Sequence, residues 1–481
     1  MITIIKENYM NIIKVALVVS FILLAGSVGG CSGGGNTPDA DNVNSPADDN
    51  SGGNNEASPN EETGNSVTFA ETFGGKKTDG IYAVQQTSDG GYIVAGNTSS
   101  FGAGDDDAWV LKLDSKGAVE WQKAYGGLKA EGFYSIEQTT NGGYIVSGYT
   151  SLFSNGSDDV WVLKLDSSGN TEWQKNYGGS KTEAGWTSIR QTLDGGYIVA
   201  GSTASFGAGK FDAWALKLNS NGGVEWQKTY GGLDDDYFYS IQPTSDGGYI
   251  AAGSTTSFGG GWILKLNSNG GVEWQEVLGE TAYSVQQVAD GGYIVAGTDG
   301  NAWVSKLATN GEMEWQKRYV GSNSDKAFSV QQTSDKGYIV SGHTTSIVGN
   351  YYENVWVLKL KENGDADWQH TYGGLHKDGA RWTAIKQTSD DGYILVSEFG
   401  SLDASVGVGD YDAWIIKMTP NGNVDFAPSS GASIATAQLT TFDGTGVIGK
   451  TTVSAMTTNV SPVDTNATTT ETNATAVKQT P

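Results

Sequence analysis

Between residues 67 and 427 the chain is written in short runs of alternating apolar and polar positions, broken by glycine-rich turns. One stretch shows the grammar. Phe133–Thr139 reads as a strand and Thr140-Asn141-Gly142-Gly143 as a tight turn. Tyr144–Thr150 reads as a second strand, and Val160–Leu165 as a third that sets Trp161, Leu163 and Leu165 to one side. Asp166–Gly169 turns again into Thr171–Tyr177, a fourth. Alternation with period two marks half-buried strands. Asn-Gly or Asp-Gly between such runs marks a hairpin, because those turns need positive φ.

The stretch recurs. A Gly-Tyr motif places Tyr92, Tyr144, Tyr197, Tyr249, Tyr293, Tyr338 and Tyr393 at spacings of 52, 53, 52, 44, 45 and 55. Trp followed by two apolar residues and Lys gives Trp109, Trp161, Trp214, Trp262, Trp303, Trp356 and Trp414. Glu/Asp-Trp-Gln gives Trp121, Trp173, Trp226, Trp274, Trp315 and Trp368. Four strands per repeat, seven times, predicts an all-β, seven-bladed β-propeller with four-stranded blades. A β-solenoid, the rival, wants shorter rungs and no four-strand grouping. The fourth-strand motif also precedes the first repeat, as Val67-Thr68-Phe69 through Phe73-Gly74-Gly75, and a shortened copy, Val424-Asp425-Phe426, follows the last. A ring is closed by a strand from one terminus, so the longer N-terminal copy is expected as the outermost strand of the last blade. The propeller is expected to be monomeric.

With strands called a to d from centre to rim, the a–b and c–d turns are short and nearly uniform and share one face. The d–a and b–c loops vary and share the other, which makes it the expected working face.

Composition changes the picture at the ends and in the choice of partners. Lys and Arg total 29 against 54 Asp and Glu, a net charge of −25, which argues against nucleic acid as a partner. The single cysteine excludes a disulfide framework. Residues 1–30 read as a signal peptide: Lys6 and Lys14 precede the mostly apolar Val15–Ala25, a run too short to span a bilayer. Val28-Gly29-Gly30-Cys31 resembles the lipobox of bacterial lipoproteins, with Val28 where that family prefers Leu. The resemblance implies cleavage before Cys31 and a lipid anchor on it. Ser32 then implies sorting to the outer membrane in a double-membraned organism, so the expected location is the cell envelope, with the folded part outside the cytoplasm. Residues 31–66 form an acidic tether without aromatic, Lys or Arg, which cannot bury enough apolar surface to fold. The propeller takes 67–427. Residues 428–481 hold 15 Thr and one aromatic, Phe442, and are expected to be mostly disordered, with one short strand near Gln438–Thr441.

Candidate chemistry lies on the variable face. Aromatics at the d–a junctions, above all Trp186 and Trp382 with Tyr134 and Tyr239, are candidate stacking platforms for sugar rings. The alternative is packing between blades. The acidic runs Asp105-Asp106-Asp107 and Asp234-Asp235-Asp236 supply oxygen ligands of the kind calcium takes, although they lack the specific calcium-loop spacing. Their alternative is turn chemistry at strand starts. No cofactor is required. No catalytic residue is assigned: His343, His370 and His376 show no metal-ligand spacing, and no nucleophile elbow or phosphate loop is present.

Gln86-Thr-Ser-Asp-Gly-Gly-Tyr-Ile-Val-Ala-Gly96, with Trp-Val-Leu-Lys-Leu-Asp and Glu-Trp-Gln-Lys-x-Tyr-Gly-Gly, resembles the repeats of exported β-propeller lipoproteins of bacteria and archaea. Some members of that family carry endoglucanase-like labels. The resemblance implies the fold over about three quarters of the chain and no catalytic residue. The expected function is a lipid-anchored, non-enzymatic binding or scaffold module of the envelope, with a polysaccharide or an envelope protein as partner. The alternative is a carbohydrate-active enzyme, an endoglucanase-like glycoside hydrolase, or a glycan-binding protein.

Overall fold

A computed structural model describes residues 67–424, except 153–156, 184, 322, 346–352, 374–381 and 400–410, together with five short backbone segments between 433 and 478. The signal, Cys31, the tether and Phe426 lie outside the described residues. The described residues form seven antiparallel sheets and no helix.

Each sheet is one blade. Blade 1 runs Asp79–Gln86 (a), Tyr92–Thr98 (b), Asp107–Leu113 (c) and Val119–Tyr125 (d). Blade 2 repeats it as Glu131–Gln138, Tyr144–Thr150, Asp159–Leu165 and Thr171–Gly178, within two residues of the strands expected from the sequence. In blade 7, Ala384–Gln387, Tyr393–Phe399 and Asp412–Met418 come from the C-terminal end of the ring, and Phe69–Phe73 from the N-terminal end is the outer strand. Phe69 pairs with Lys417 and Phe73 with Ala413, so the N-terminal copy of the d motif closes the ring.

Burial follows the motif. The strand-c tryptophans are fully enclosed between neighbouring sheets and supply most of the apolar area that holds blade to blade. The strand-d tryptophans do a different job. A Cβ on Gly169 would come within 2.7 Å of the Trp121 ring, and one on Gly222 within 2.9 Å of Trp173. Each of these glycines sits in the c–d turn of the next blade at positive φ, 72° in both cases. Only glycine combines that conformation with that closeness. The Tyr four residues on donates its hydroxyl to the same glycine's carbonyl: Tyr125 to Gly169 at 2.6 Å, and Tyr177 to Gly222, Tyr230 to Gly270, Tyr319 to Gly364 and Tyr372 to Gly422 at 2.7 Å.

Within a blade, the lysine that follows the strand-c apolar pair ties the layers together. Lys112 is 2% exposed. It donates to Leu113 O and meets Asp89 of the a–b turn and Glu120 of strand d, all at 3.0 Å. Lys217, Lys265 and Lys306 do the same in blades 3, 4 and 5. A buried ammonium needs such partners, so this lysine is structural in every repeat that carries it.

Five short segments after residue 428 pair antiparallel with outer strands. Ser433–Ala435 joins blade 6 and Thr440–Asp443 joins blade 5. Val463–Asp464, Thr468–Glu471 and Val477–Lys478 join blades 3, 2 and 1. They occupy strand edges that would otherwise be open.

At the closure, Phe69 lies against Gly117 as the tryptophans lie on their glycines, a Cβ there meeting its ring at 3.0 Å. Phe73 occupies the place of the hydroxyl-bearing tyrosine. Phe73→Tyr is therefore expected to add the missing bond to Gly117 and stabilise the ring by about 1 kcal/mol. Tyr125→Phe should cost a similar amount. Thermal melts of the two variants check this, and a Tyr125→Phe protein as stable as the parent would remove the hydroxyl lock from the account.

Candidate functional site

The axis of the ring is lined by strand a of every blade, in four layers. The first is aromatic: Tyr82, Tyr134, Trp186, Tyr239, Tyr283, Phe328 and Trp382, one per blade. In blades 1, 2, 4, 5 and 6 the aromatic is the extra residue of a β-bulge, between Ile81/Ala83, Phe133/Ser135, Phe238/Ser240, Ala282/Ser284 and Ala327/Ser329. A bulge re-aims its side chain, here toward the axis. In blades 3 and 7, strand a is shortened to Ser188–Gln191 and Ala384–Gln387, and the tryptophans precede it.

These rings pack on one another. Trp186 and Trp382, from blades that are not neighbours, stack at 4.6 Å and 14°. Tyr134 lies 4.5 Å from Trp186, and Tyr82 touches both. Phe328 and Tyr283 flank Trp382 at 5.0 and 5.5 Å, and Tyr239 meets Tyr283 at 5.5 Å. The phenols turn outward to their own blades, Tyr82 donating to Asn97 at 2.8 Å and Tyr239 meeting Ser254 at 3.0 Å. Burial pushes the Tyr82 and Tyr134 hydroxyls up and keeps them protonated. The sequence placed these aromatics at the channel mouth as platforms or packing residues. The structure assembles them into a single half-buried layer across the axis.

Below it, toward the uniform turns, the second layer is Ala83, Ser135, Ser188, Ser240, Ser284, Ser329 and Ala384. The third is Gln85, Glu137, Arg190, Gln242, Gln286, Gln331 and Lys386, and the fourth is Gln86, Gln138, Gln191, Pro243, Gln287, Gln332 and Gln387. A cavity of about 570 Å³ starts at the aromatic layer and runs through these layers to Gln86, Pro243 and Gln387 beside the a–b turns. It therefore lies on the opposite side of the aromatic layer from the variable loops. Glu137 is the single carboxylate among its lining residues, with Arg190 and Lys386 as the two cations.

The third and fourth layers form a relay around the ring. The fourth-layer N–H of one blade donates to the third-layer side chain of the blade before: Gln138 to Gln85 at 2.6 Å, Gln191 to Glu137 at 2.5 Å, Gln332 to Gln286 at 2.7 Å and Gln387 to Gln331 at 3.0 Å. The fourth-layer Gln side chain accepts from the a–b turn of the blade before. Ser88 donates to Gln138, Thr140 to Gln191, Ser245 to Gln287, Ala289 to Gln332, Ser334 to Gln387 and, across the closure, Ser389 to Gln86, at 2.8–2.9 Å.

Among the described residues, three of the seven junctions lack the N–H bond: Gln287 to Gln242, where the residue types are kept, and two where the residue types themselves change. Arg190 has no acceptor to offer, and the residue facing it in blade 4 is Pro243, which has no N–H to give. The mismatch is thus paired. Arg190 turns to Ser135 Oγ at 3.0 Å and Ile189 O at 2.6 Å. Pro243 also lacks the amide that would clamp the blade 3 turn. There Leu193 is 94% exposed, and a cleft of about 360 Å³ opens between the two blades. The other departure is Lys386, which cannot accept from Gln86. Its ammonium has no hydrogen-bond partner among the described residues. Burial, then repulsion from Arg190, lowers it to about 8 against the pull of Glu137.

The candidate calcium residues do not act as runs. Asp105 and Asp234 are exposed, Asp106 and Asp235 partly covered, and Asp107 and Asp236 buried. Among the described residues no three His, Cys, Asp or Glu side chains are placed to share a metal. Asp107 accepts from Ala103 and Gly104 at 3.0 and 3.1 Å and caps its b–c loop. Asp236 accepts from Gly232 at 2.8 Å and Ser257 at 2.8 Å, and from Thr255. The arrangement that sequence reasoning missed is a pair of buried carboxylates at each of four blade junctions. One comes from the start of strand c and one from the start of the next strand a or, for Glu183, from the junction ahead of it. A Cβ on Gly126 would meet Glu131 Oε2 at 2.4 Å and Asp107 Oδ1 at 2.6 Å, and Gly178 stands likewise between Asp159 and Glu183. Gly231 is enclosed by Asp212 and Asp236, and Gly74 by Asp412 and Asp79. Burial, and then Asp107, push Glu131 up to about 7. Burial and Asp79 push Asp412 up to about 6. The Asp107/Glu131 and Asp79/Asp412 pairs therefore hold a proton at mildly acidic pH.

Of the histidines, His343 packs on Phe328 at 4.9 Å and His370 Nε2 meets Asn421 O at 3.1 Å, at separate places. His376 lies outside the described residues.

The fold is a seven-bladed β-propeller with four-stranded blades and an axial cavity. No family model and no curated protein matches the chain. Solved structures do. The propeller of Dos1 is 11% identical and covers 75% of this chain and 98% of its own, with a TM-score of 0.45. A protein of unknown function from Bacteroides caccae is 14% identical, covering 56% of this chain and 91% of its own, with a TM-score of 0.35. A subtype N11 neuraminidase-like protein of A/flat-faced bat/Peru/033/2010 is 12% identical over 75% of this chain and 92% of its own, at 0.40. Likeness at this level carries nothing about activity.

The acid pairs set a pH window. A carboxyl raised in the folded state contributes stability below its unfolded value of about 4 and loses it as pH rises through 6 to 7. In the other direction, Thr87, Gly91 and Lys112 outweigh burial and hold Asp89 down to about 2. Asp194 and Asp246 are held alike, a contribution lost as pH falls toward 2. Thermal stability is expected to peak near pH 4–5 and fall toward pH 8. The combination of Glu131→Gln and Asp412→Asn should flatten the upper arm, whereas an unchanged arm would show that the pairs are not its source. The Arg190/Pro243 match gives a second test. Pro243→Gln alone restores the turn clamp but points an N–H at a cation, while Arg190→Gln with Pro243→Gln restores both bonds. The double variant should exceed the sum of the singles by about 1 kcal/mol in denaturant unfolding, and additivity would refute the pairing.

Proposed function

We propose that this chain is an exported, lipid-anchored β-propeller that acts as a non-enzymatic binding module, taking a polar ligand into its axial channel. The observation that carries the reading is the cavity itself. About 570 Å³ falls within the usual range of ligand sites. Its walls are amides and hydroxyls repeated around the ring, and its floor includes Tyr134, Tyr239 and Trp382. The blade-to-blade relay keeps those groups in place before a ligand arrives, which lowers the ordering cost of binding. Glycoside hydrolysis ordinarily needs two carboxyl groups across the scissile bond, and the lining supplies one, Glu137. The same lining therefore supports binding better than the endoglucanase-like alternative. The lipobox-like Val28–Cys31 supports placing the propeller at the envelope surface on a tether.

Two measurements test this. Cys31→Ser in the producing cell should move the protein from the membrane fraction to the soluble one, and a variant that stays with the membrane would end the anchor reading. The released Cys31→Ser protein is then incubated with a panel of polysaccharides. Depletion without release of reducing ends is the expected result. Release of reducing ends would replace the binding module with a hydrolase.

A further inference from the structure

The third layer of the channel is the place where the repeat is broken most deliberately. Four blades keep Gln there, and Gln85, Gln286 and Gln331 serve the relay as acceptors while all four line the cavity. Arg190 and Lys386 give up the acceptor. At Arg190 the loss is compensated by Pro243. At Lys386 nothing compensates: the next blade keeps Gln86 with its N–H, and the ammonium finds no hydrogen bond among the described residues. A cation in that position costs desolvation and returns no structural bond. Its head lines the cavity with Arg190. With Glu137 the lining carries two positive charges against one negative, a local reversal in a protein of net charge −25. Glu137 is tied to Gln191 N–H and Arg190 to Ser135 and Ile189; Glu137 attracts the Lys386 ammonium without a hydrogen bond to it.

We infer that the channel binds an acidic sugar, its carboxylate held by Lys386 and Arg190 and its hydroxyls by the serine and glutamine layers. This rests on the binding-module reading above and names its ligand class. The two cations select the carboxylate. Ser135, Ser188, Ser240 and the glutamines line the same cavity as the cations, a polar wall broader than a lone small anion would need and suited to a polyhydroxylated ring. The aromatic layer closes the inner end with apolar surface, the surface that a sugar ring's C–H face prefers. The lowered ammonium is the free-protein counterpart of this arrangement, since an anion beside Lys386 would raise it again.

The test is calorimetric titration of the Cys31→Ser protein with oligogalacturonate, the matched neutral galactose oligomer, and acetate. Binding of the uronate, with the neutral oligomer at least tenfold weaker and acetate undetected, is the expected result. Lys386→Met should weaken uronate binding roughly ten- to a hundredfold, as removal of one charge-assisted bond does, and leave the melting temperature unchanged or higher. Lys386→Arg should retain it. Affinity should fall as pH rises past 8. Equal binding of neutral and acidic oligomers, untouched by Lys386→Met, would overturn the acidic-ligand inference and leave the binding module standing. Acetate binding as tightly as the uronate would overturn the sugar part. Binding of none of the three, together with no depletion on the polysaccharide panel, would overturn both.

Discussion

The ring depends on one contact repeated around its rim: a tryptophan of strand d lying on a positive-φ glycine in the c–d turn of the next blade, with a tyrosine hydroxyl on that glycine's carbonyl. It couples a local requirement, a turn that only glycine can make at that closeness, to a long-range one, the angle between adjacent sheets. Six of the glycines carry a tryptophan and the seventh, at the closure, carries Phe69; the tyrosine hydroxyl completes the contact at five of them, Leu278 and Phe73 taking its place at the other two. Because the contact joins neighbours only, each blade sets the orientation of the next, and the ring shuts on a strand borrowed from the other end of the chain.

Symmetry at the rim frees the axis to vary. Strand a keeps one relay of serine and glutamine bonds from blade to blade, and this relay fixes side chains that would otherwise wander in a wide channel. Against that regular background, departures are informative. Arg190 opposite Pro243 is a matched loss of acceptor and donor, so it costs little. Lys386 is an unmatched loss, so its charge stands out as the feature to which the fold assigns no structural bond. The aromatic layer has the same logic at larger scale. Bulges aim five rings inward, two shortened strands bring in tryptophans, and the stacked pair at the centre joins the two halves.

The acid pairs show how far charge is folded into the architecture. A strand-start carboxylate is useful because it accepts from the Gly-Gly N–H groups of the d–a junction. At four junctions a second carboxylate from strand c stands against the same glycine, and at Glu131 and Asp412 burial beside that second carboxylate favours the protonated form; at Gly321, Asp325 faces a strand c that begins with Ala302. The acidic composition is thus partly internal, and its effect on stability opposes that of the exposed Asp–Lys ties beneath the a–b turns.

Much of this was legible before any coordinates. The seven Gly-Tyr and Trp motifs named the blades because a period-two strand can bury only one residue type per position, and repetition makes that position visible. The terminal copies of the d motif named the closure, since an open ring would leave them without a partner. The a-strand series was equally visible as text. Gln85, Glu137, Arg190, Gln242, Gln286, Gln331 and Lys386 stand in register ahead of each turn, but their meaning was not legible, because a chain does not show which residues of seven distant strands meet at one axis. The aromatics were identified by residue, and whether they would stand exposed or stack on one another was not. Sequence by itself determined the blade, the count of blades and the terminal strand that closes the ring, all set by local periodicity and repetition. Only the closed tertiary ring decided that the aromatics bar the channel, that the cavity lies on the side of the uniform turns, and that carboxylates some twenty residues apart, or at opposite ends of the chain, share a site. Those facts depend on distances across the axis and between blades, which no local pattern encodes.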